Sequence, residues 1–205
     1  MSAPPHVRRA AERERAAVSG VLHDAFVDED GLNYWLRQGA AKEKARRRFF
    51  DAAVRDAVHP ERELWLAEDG GAPLGAALWL APGRKAFDHT LLQQVLMAPL
   101  LFSIAGSEGL KRGLDIAARL ADHHPQEPHA HLVFLGVAGS AQGRGVGSAM
   151  LKTMLAPLDA QGVTAYLEAS KERNVALYRR HGFEVTGAFE LPGVRFWTMT
   201  RRPRG

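Results

Sequence analysis

A chain of 205 residues, 46% hydrophobic and 24% charged, has the composition of one globular domain (1–205) with apolar mass enough to close a core. The absence of cysteine excludes a disulfide framework, a thiolate metal site and a cysteine nucleophile, and the greasiest run, 95–105, is too short to span a bilayer and is broken by Pro99. With no apolar signal core after Met1 and a scattered net charge of +4, the expectation is a cytoplasmic protein with no membrane or nucleic-acid partner, mildly basic in a way that suits a polyanionic cofactor.

In chain order, 6–10 reads as a short strand. Residues 12–26, with Ala16, Ala17, Val21, Leu22, Ala25 and Phe26 at three- and four-residue steps, form an amphipathic helix that Asp28-Glu-Asp-Gly31 ends. Helix resumes over 32–58 with a break near Gly39, and Tyr34, Trp35, Phe49 and Phe50 give it bulk for a core or a pocket wall. Arg46-Arg-Arg48 shares that pattern with Glu43 and Asp51 and reads as a solvated face. Residues 63–68 and 74–80 are strands joined by the turn at 69–73, hence antiparallel neighbours. Two helices, 86–104 and 108–122, follow and are stopped by Pro125 and Pro128.

The centre of the chain is 131–147, where an apolar run (132–137) gives way to glycines that lead into a helix reaching Gln161 and Gly162. The strand 164–169 then forms a parallel pair with 132–137 through that crossover helix. A helix over 174–183 closes at Gly182, and 184–191 with 195–200 make a hairpin through Pro192-Gly193, leaving 201–204 as a frayed tail. The fold class is α/β (α+β), a mixed sheet of about seven strands.

A glycine loop ahead of a helix offers main-chain N–H groups and a positive dipole end to phosphate. The run here lacks the Gly-Lys-Ser/Thr of a P-loop. A dinucleotide fingerprint fits poorly, since Ser148 stands at its last glycine and five residues separate Val137 from Gly143. The histidines, nine in all, include His123-His124 and His129-x-His131, but no third ligand stands at a fixed spacing, so no metal site is expected.

Gln142-x-x-Gly145-x-Gly147 after Leu135-Gly-Val137, with Asn174 and Tyr178 followed by Gly182-Phe183, resembles the two cofactor motifs of the GCN5-related N-acetyltransferases. Over 125–202, Glu127-Pro128, Leu167-Glu-Ala-Ser170, Arg173-Asn174, Tyr178-Arg179 and His181-Gly-Phe183 are similar to puromycin-type antibiotic acetyltransferases, while Ala138-Gly-Ser-Ala141 departs from the usual turn. The resemblance implies that fold, with acetyl-coenzyme A between two splayed central strands. It implies cofactor contacts from the backbone of Leu135 and Val137 and from Gln142, Gly143, Arg144, Gly145, Val146, Gly147 and Ser148, with Asn174 orienting the cofactor's arm. The N–H of Val137 would face the thioester oxygen, and Tyr178 would protonate the leaving thiolate.

The base is open among Glu168, His131, His129, Glu127 and a water chain. The helices before the central strand, with Tyr34, Trp35, Trp79 and Phe87, would shape the acceptor pocket. The function implied is direct acetyl transfer to a primary amine of a small molecule; protein amines and a non-catalytic acyl-coenzyme A module are the alternatives. Residues 95–104 are either core or a homodimer surface.

Overall fold

The computed structural model describes residues 4–55, 62–84 and 91–205, and the first thing it shows is how period-two sequence becomes a two-faced sheet. Its strands are β1 (His6–Arg9), β2 (Arg62–Asp69), β3 (Ala72–Leu80), β4 (Ala130–Val137), β5 (Ala165–Ala169), β6 (Glu184–Leu191) and β7 (Val194–Arg201). They lie in the order β1-β2-β3-β4-β5-β7-β6, all antiparallel except the β4·β5 pair. The mixed seven-stranded sheet with one parallel central pair is therefore the fold that the residue pattern implies.

The helices are α1 (Arg15–Ala25), α2 (Asp30–Trp35), α3 (Lys42–Ala53), α4 (Leu91–His123), α5 (Val146–Ala160) and α6 (Glu172–Arg180). The expected break near Gly39 is a 3-10 turn, Gly39–Ala41. Asp28–Gly31, read as a stop, is also a start: the Glu29 carboxylate accepts from the N–H groups of Gly31 and Leu32 and caps α2. The two helices expected over 86–122 join as α4, bent where Gly106 leaves helical geometry at φ 68° and ψ −177°. Phe87 lies outside the described residues. No described helix is long and apolar enough to cross a membrane.

Leu64, Leu66, Ala76 and Leu78 turn to one face and pack with Val18, Leu22 and Phe50 of α1 and α3. Trp65, Ala67, Ala77 and Trp79 turn to the other and meet Met150 and Met154 of α5. This corrects the placement of Trp79 in an acceptor pocket. It is a core residue, with its indole N–H directed at the Met154 sulfur 3.1 Å away. The 95–104 run divides, Ile104 being buried and Val95, Leu96 and Phe102 being 62%, 70% and 52% exposed.

Two charge assignments also change. Arg46 is buried, not solvated, and donates from Nε to the His23 carbonyl at 3.1 Å, tying α3 to α1. The C-terminal basic run is not frayed, because Arg201 closes β7 with two 2.7 Å bonds to the Asp159 carboxylate, which also accepts from the Arg204 N–H. The pairing with Arg201 holds the Asp159 carboxyl below its ordinary value. A lowered folded-state value stabilises above the unfolded carboxyl value, about pH 4, and that share is lost as pH falls through the folded value. Asp159→Asn should therefore cost about 2 kcal/mol at neutral pH, less than a fully buried broken pair, and the deficit should shrink in urea titrations run below about pH 4. An unchanged deficit at low pH would mean packing, not charge, holds this end of the sheet.

The functionally decisive irregularity is in β4. Leu78 pairs with Phe134 and Trp79 with Leu132, so Val133 is an extra residue, a β-bulge. On the other side β4 pairs with β5 only at Ala130↔Ala165, His131↔Tyr166 and Leu132↔Leu167. A bulge sharpens local twist and bends the strand, and β4 leaves β5 where the bulge sits. Beyond Leu132 a slot opens between them.

Candidate active site

The slot has a chemically usable edge. The N–H of Ala138 donates to the Leu74 carbonyl of the β3 side at 2.9 Å. Because successive residues alternate, the N–H and C=O of Val137, and of Leu135 two residues earlier, face the β5 side, where no strand pairs with them. The Val137 carbonyl is met by the Gln142 side-chain amide at 3.3 Å, which folds the glycine loop back over the strand end.

The loop itself then prepares an anion seat. Gly143 and Gly145 hold φ at +75° and +80°, and space there is open to 4 Å, so backbone conformation is what demands glycine. The N–H groups of Gln142 and Arg144 are drawn into the loop's own turns, to Gly139 and Ala141. The seat thus narrows to Gly143, Gly145 and the first turn of α5, Val146, Gly147 and Ser148, whose N–H groups find no intrahelical acceptor. The Ser148 hydroxyl is committed to His181 Nε2 at 2.7 Å, so its main chain is what it offers. The Arg144 side chain is half-exposed at the loop and lies 3.9 Å from the Asp69 carboxylate. A Cβ on Gly147 would lie 3.5 Å from Leu177 and 3.6 Å from Val137, which puts α6 and the end of β4 on either side of this turn.

Asn174 and Tyr178 are one turn apart on α6, on one face. The Tyr178 ring is buried against Phe183, edge to face at 5.8 Å. Burial, and then the negative charge of Glu29, push its phenol above the ordinary tyrosine value. A phenol in that state keeps its proton at neutral pH and can give it away only to a stronger base formed beside it.

Glu29 is a site residue that sequence reading passed over. Its half-buried carboxylate caps α2 and accepts the hydroxyl of Ser170, at the end of β5. Burial raises its pKa. Asp30 beside it pairs with Lys171 at 3.0 Å, so α2 is strapped across the end of β5. The place of Glu29 directly before Asp30, the first residue of α2, makes it the N-cap of that helix.

On the α1 face, Glu168 is the first β5 residue past its last pairing with β4. Its Oε2 is 2.7 Å from His131 Nε2, and its Oε1 is 4.0 Å from His124 Nδ1. Burial pushes the Glu168 carboxyl up, but His131, Tyr166 and His124 together outweigh it and hold it below the usual range. The other two candidate bases are placed differently: the Glu127 side chain is exposed, and His129 is buried with Nδ1 donating to the Glu127 carbonyl at 2.7 Å. Of the proposed acceptor aromatics, Trp35 packs on Phe49 at 5.3 Å, and Tyr34 lies under the Arg112 guanidinium at 5.8 Å, both on α2.

Known proteins share this sequence pattern and this fold. A family model described as the Acetyltransferase (GNAT) family matches residues 27–183. A mycothiol acetyltransferase of Paenarthrobacter aurescens is 27% identical over 203 residues, and the chain spans 62% of its length. An uncharacterized N-acetyltransferase of Schizosaccharomyces pombe is 22% identical, covering 86% of this chain and 73% of the relative. Among solved structures, one described as histone acetyltransferase HPA2 and related acetyltransferase, from Corynebacterium glutamicum, superposes with a TM-score of 0.77 at 26% identity, covering 99% of this chain and 98% of the other.

Proposed function

Because this chain belongs to the GNAT acetyltransferase family, whose acyl donor is acetyl-coenzyme A, we propose that it transfers acetyl directly from the thioester to a primary amine of a small molecule. The donor supplies an activated acyl group and a thiolate leaving group. The residues present fit it: an unpaired strand edge for an amide-bearing arm, and free main-chain N–H groups at Gly143, Gly145 and the start of α5 for phosphates.

The observation that carries the reading is the parting of β4 from β5 at Leu132, with the N–H of Val137 turned into the opening. That donor is available to negative charge developing on a carbonyl oxygen. Tyr178 donates a proton to the departing sulfur, and Asn174, on the same face of α6, orients the arm that carries it. The Glu168–His131 pair takes the proton of the incoming ammonium, whose ordinary value near 10.4 leaves little free amine at neutral pH.

Two features favour a small acceptor. Glu29–Ser170 and Asp30–Lys171 strap α2 over the end of β5 and narrow the approach, and the 125–202 segment is similar to puromycin-type enzymes. A protein amine is the second reading, favoured by the description of the Corynebacterium glutamicum structure.

Thiol release should be followed with acetyl-, propionyl- and succinyl-coenzyme A against small primary amines, lysine peptides and peptide N-termini. Release with acetyl-coenzyme A and small amines is the expected result. Turnover confined to peptides would overturn the acceptor class, and binding without release to any acceptor would overturn the reaction.

A further inference from the structure

Around the Tyr166 ring the fold gathers more histidine than acetyl transfer uses. His124, His129 and His131 place their ring centroids 5.0, 5.1 and 5.2 Å from it. His124 comes from the region beyond the end of α4, His131 from β4 and Glu168 from β5, so no sequence spacing relates them. One donor atom from each of His124, His131 and Glu168 falls within 4.8 Å of the other two. We propose that these three side chains form a binding site for a divalent transition metal, with Zn²⁺ the best-fitting ion.

The chemistry of the set supports that choice. Two imidazoles and one carboxylate suit zinc and its neighbours rather than magnesium or calcium, and they leave a fourth tetrahedral position open. Bonds of about 2.0 Å at tetrahedral angles separate ligand atoms by about 3.3 Å. The 2.7 Å from His131 Nε2 to Glu168 Oε2 and the 4.0 Å from His124 Nδ1 to Glu168 Oε1 lie on either side of that distance, one at each carboxylate oxygen.

The surroundings are polar in a way that packing does not explain. His129 Nε2 and His131 Nδ1 are buried with no hydrogen-bond partner among the described residues. His129 is fixed by its bond to the Glu127 carbonyl, the arrangement that aims an imidazole lone pair inward. A hydrated ion in this pocket would give such atoms partners.

Binding would replace the hydrogen bond between His131 Nε2 and Glu168 Oε2 with bonds from both atoms to the metal, and would occupy the pair that accepts the amine's proton. The second consequence rests on the base assigned above: the metal-free protein is active and the loaded protein is inhibited. The site is thus regulatory.

The test uses the full chain stripped with chelator and titrated with Co²⁺, read by visible absorption, then with Zn²⁺ in competition. One equivalent of Co²⁺ with a four-coordinate spectrum, displaced by Zn²⁺, is expected. His124→Asn and His124→Phe, checked for folding by thermal melting, should both lose the spectrum. No stoichiometric binding by the unaltered chain, or binding retained in both folded variants, overturns the proposal. Zn²⁺ should inhibit thiol release in step with occupancy. Binding without inhibition would leave the metal site standing and instead remove Glu168 and His131 as the base.

Discussion

Tyr178→Phe should lower kcat by about 10²- to 10⁴-fold, the range for loss of a positioned acid, while acetyl-coenzyme A binds as before. The substitution keeps the ring, its burial and its edge contact with Phe183, and removes only the hydroxyl. Equilibrium binding of the cofactor and thiol release measured on the same preparation separate the two effects. Because burial and Glu29 raise the phenol above its ordinary value, the parent enzyme should show no loss of this acid below about pH 10. A variant with nearly unchanged kcat would mean that water protonates the thiolate and that Tyr178 is a packing residue.

The second large effect belongs to Glu168→Gln, with kcat/KM expected to fall by about 10²- to 10⁴-fold. Glutamine can still accept from His131 Nε2 through its amide oxygen, so the cluster keeps its shape and loses only basicity. Free amine then has to come from solvent, so the variant's rate should climb about tenfold per pH unit toward the acceptor's own value, near 10.4 for an alkylamine. The parent should climb less steeply. A uniform loss with no recovery at high pH, or a collapsed melting transition, would assign Glu168 a structural role.

The strands, the two hairpins, the parallel β4–β5 pair and the glycine loop were legible because each has a local cause. Alternating or continuous apolar runs make the strands, Gly70-Gly71 at positive φ makes the β2–β3 hairpin, and glycine at 143 and 145 permits a loop that no side chain would. Which face a residue takes was not legible for Trp79, since helices cover both sides of the sheet and period two does not say which side is which. Arg46 and Arg201 look like surface charge until their partners arrive from distant segments. The bulge at Val133 is invisible in a uniformly apolar run, because it is defined by the register against β3. The His124, His131 and Glu168 cluster fails the spacing test for the same reason: α4, β4 and β5 assemble it in space, with His124 just past the end of α4.

The single inserted residue at Val133 also has a mechanical meaning. With only three residue pairs joining β4 to β5, the sheet is two leaves whose strand pairing closes one end of their common seam, while α2 straps the other through Glu29–Ser170 and Asp30–Lys171. On the proposed reading, a guest threaded along the vacant edge of β4 would complete the backbone pairing that the chain withholds from itself and splint the leaves together. Loading at that edge should therefore slow local opening of the strands on both sides of the seam.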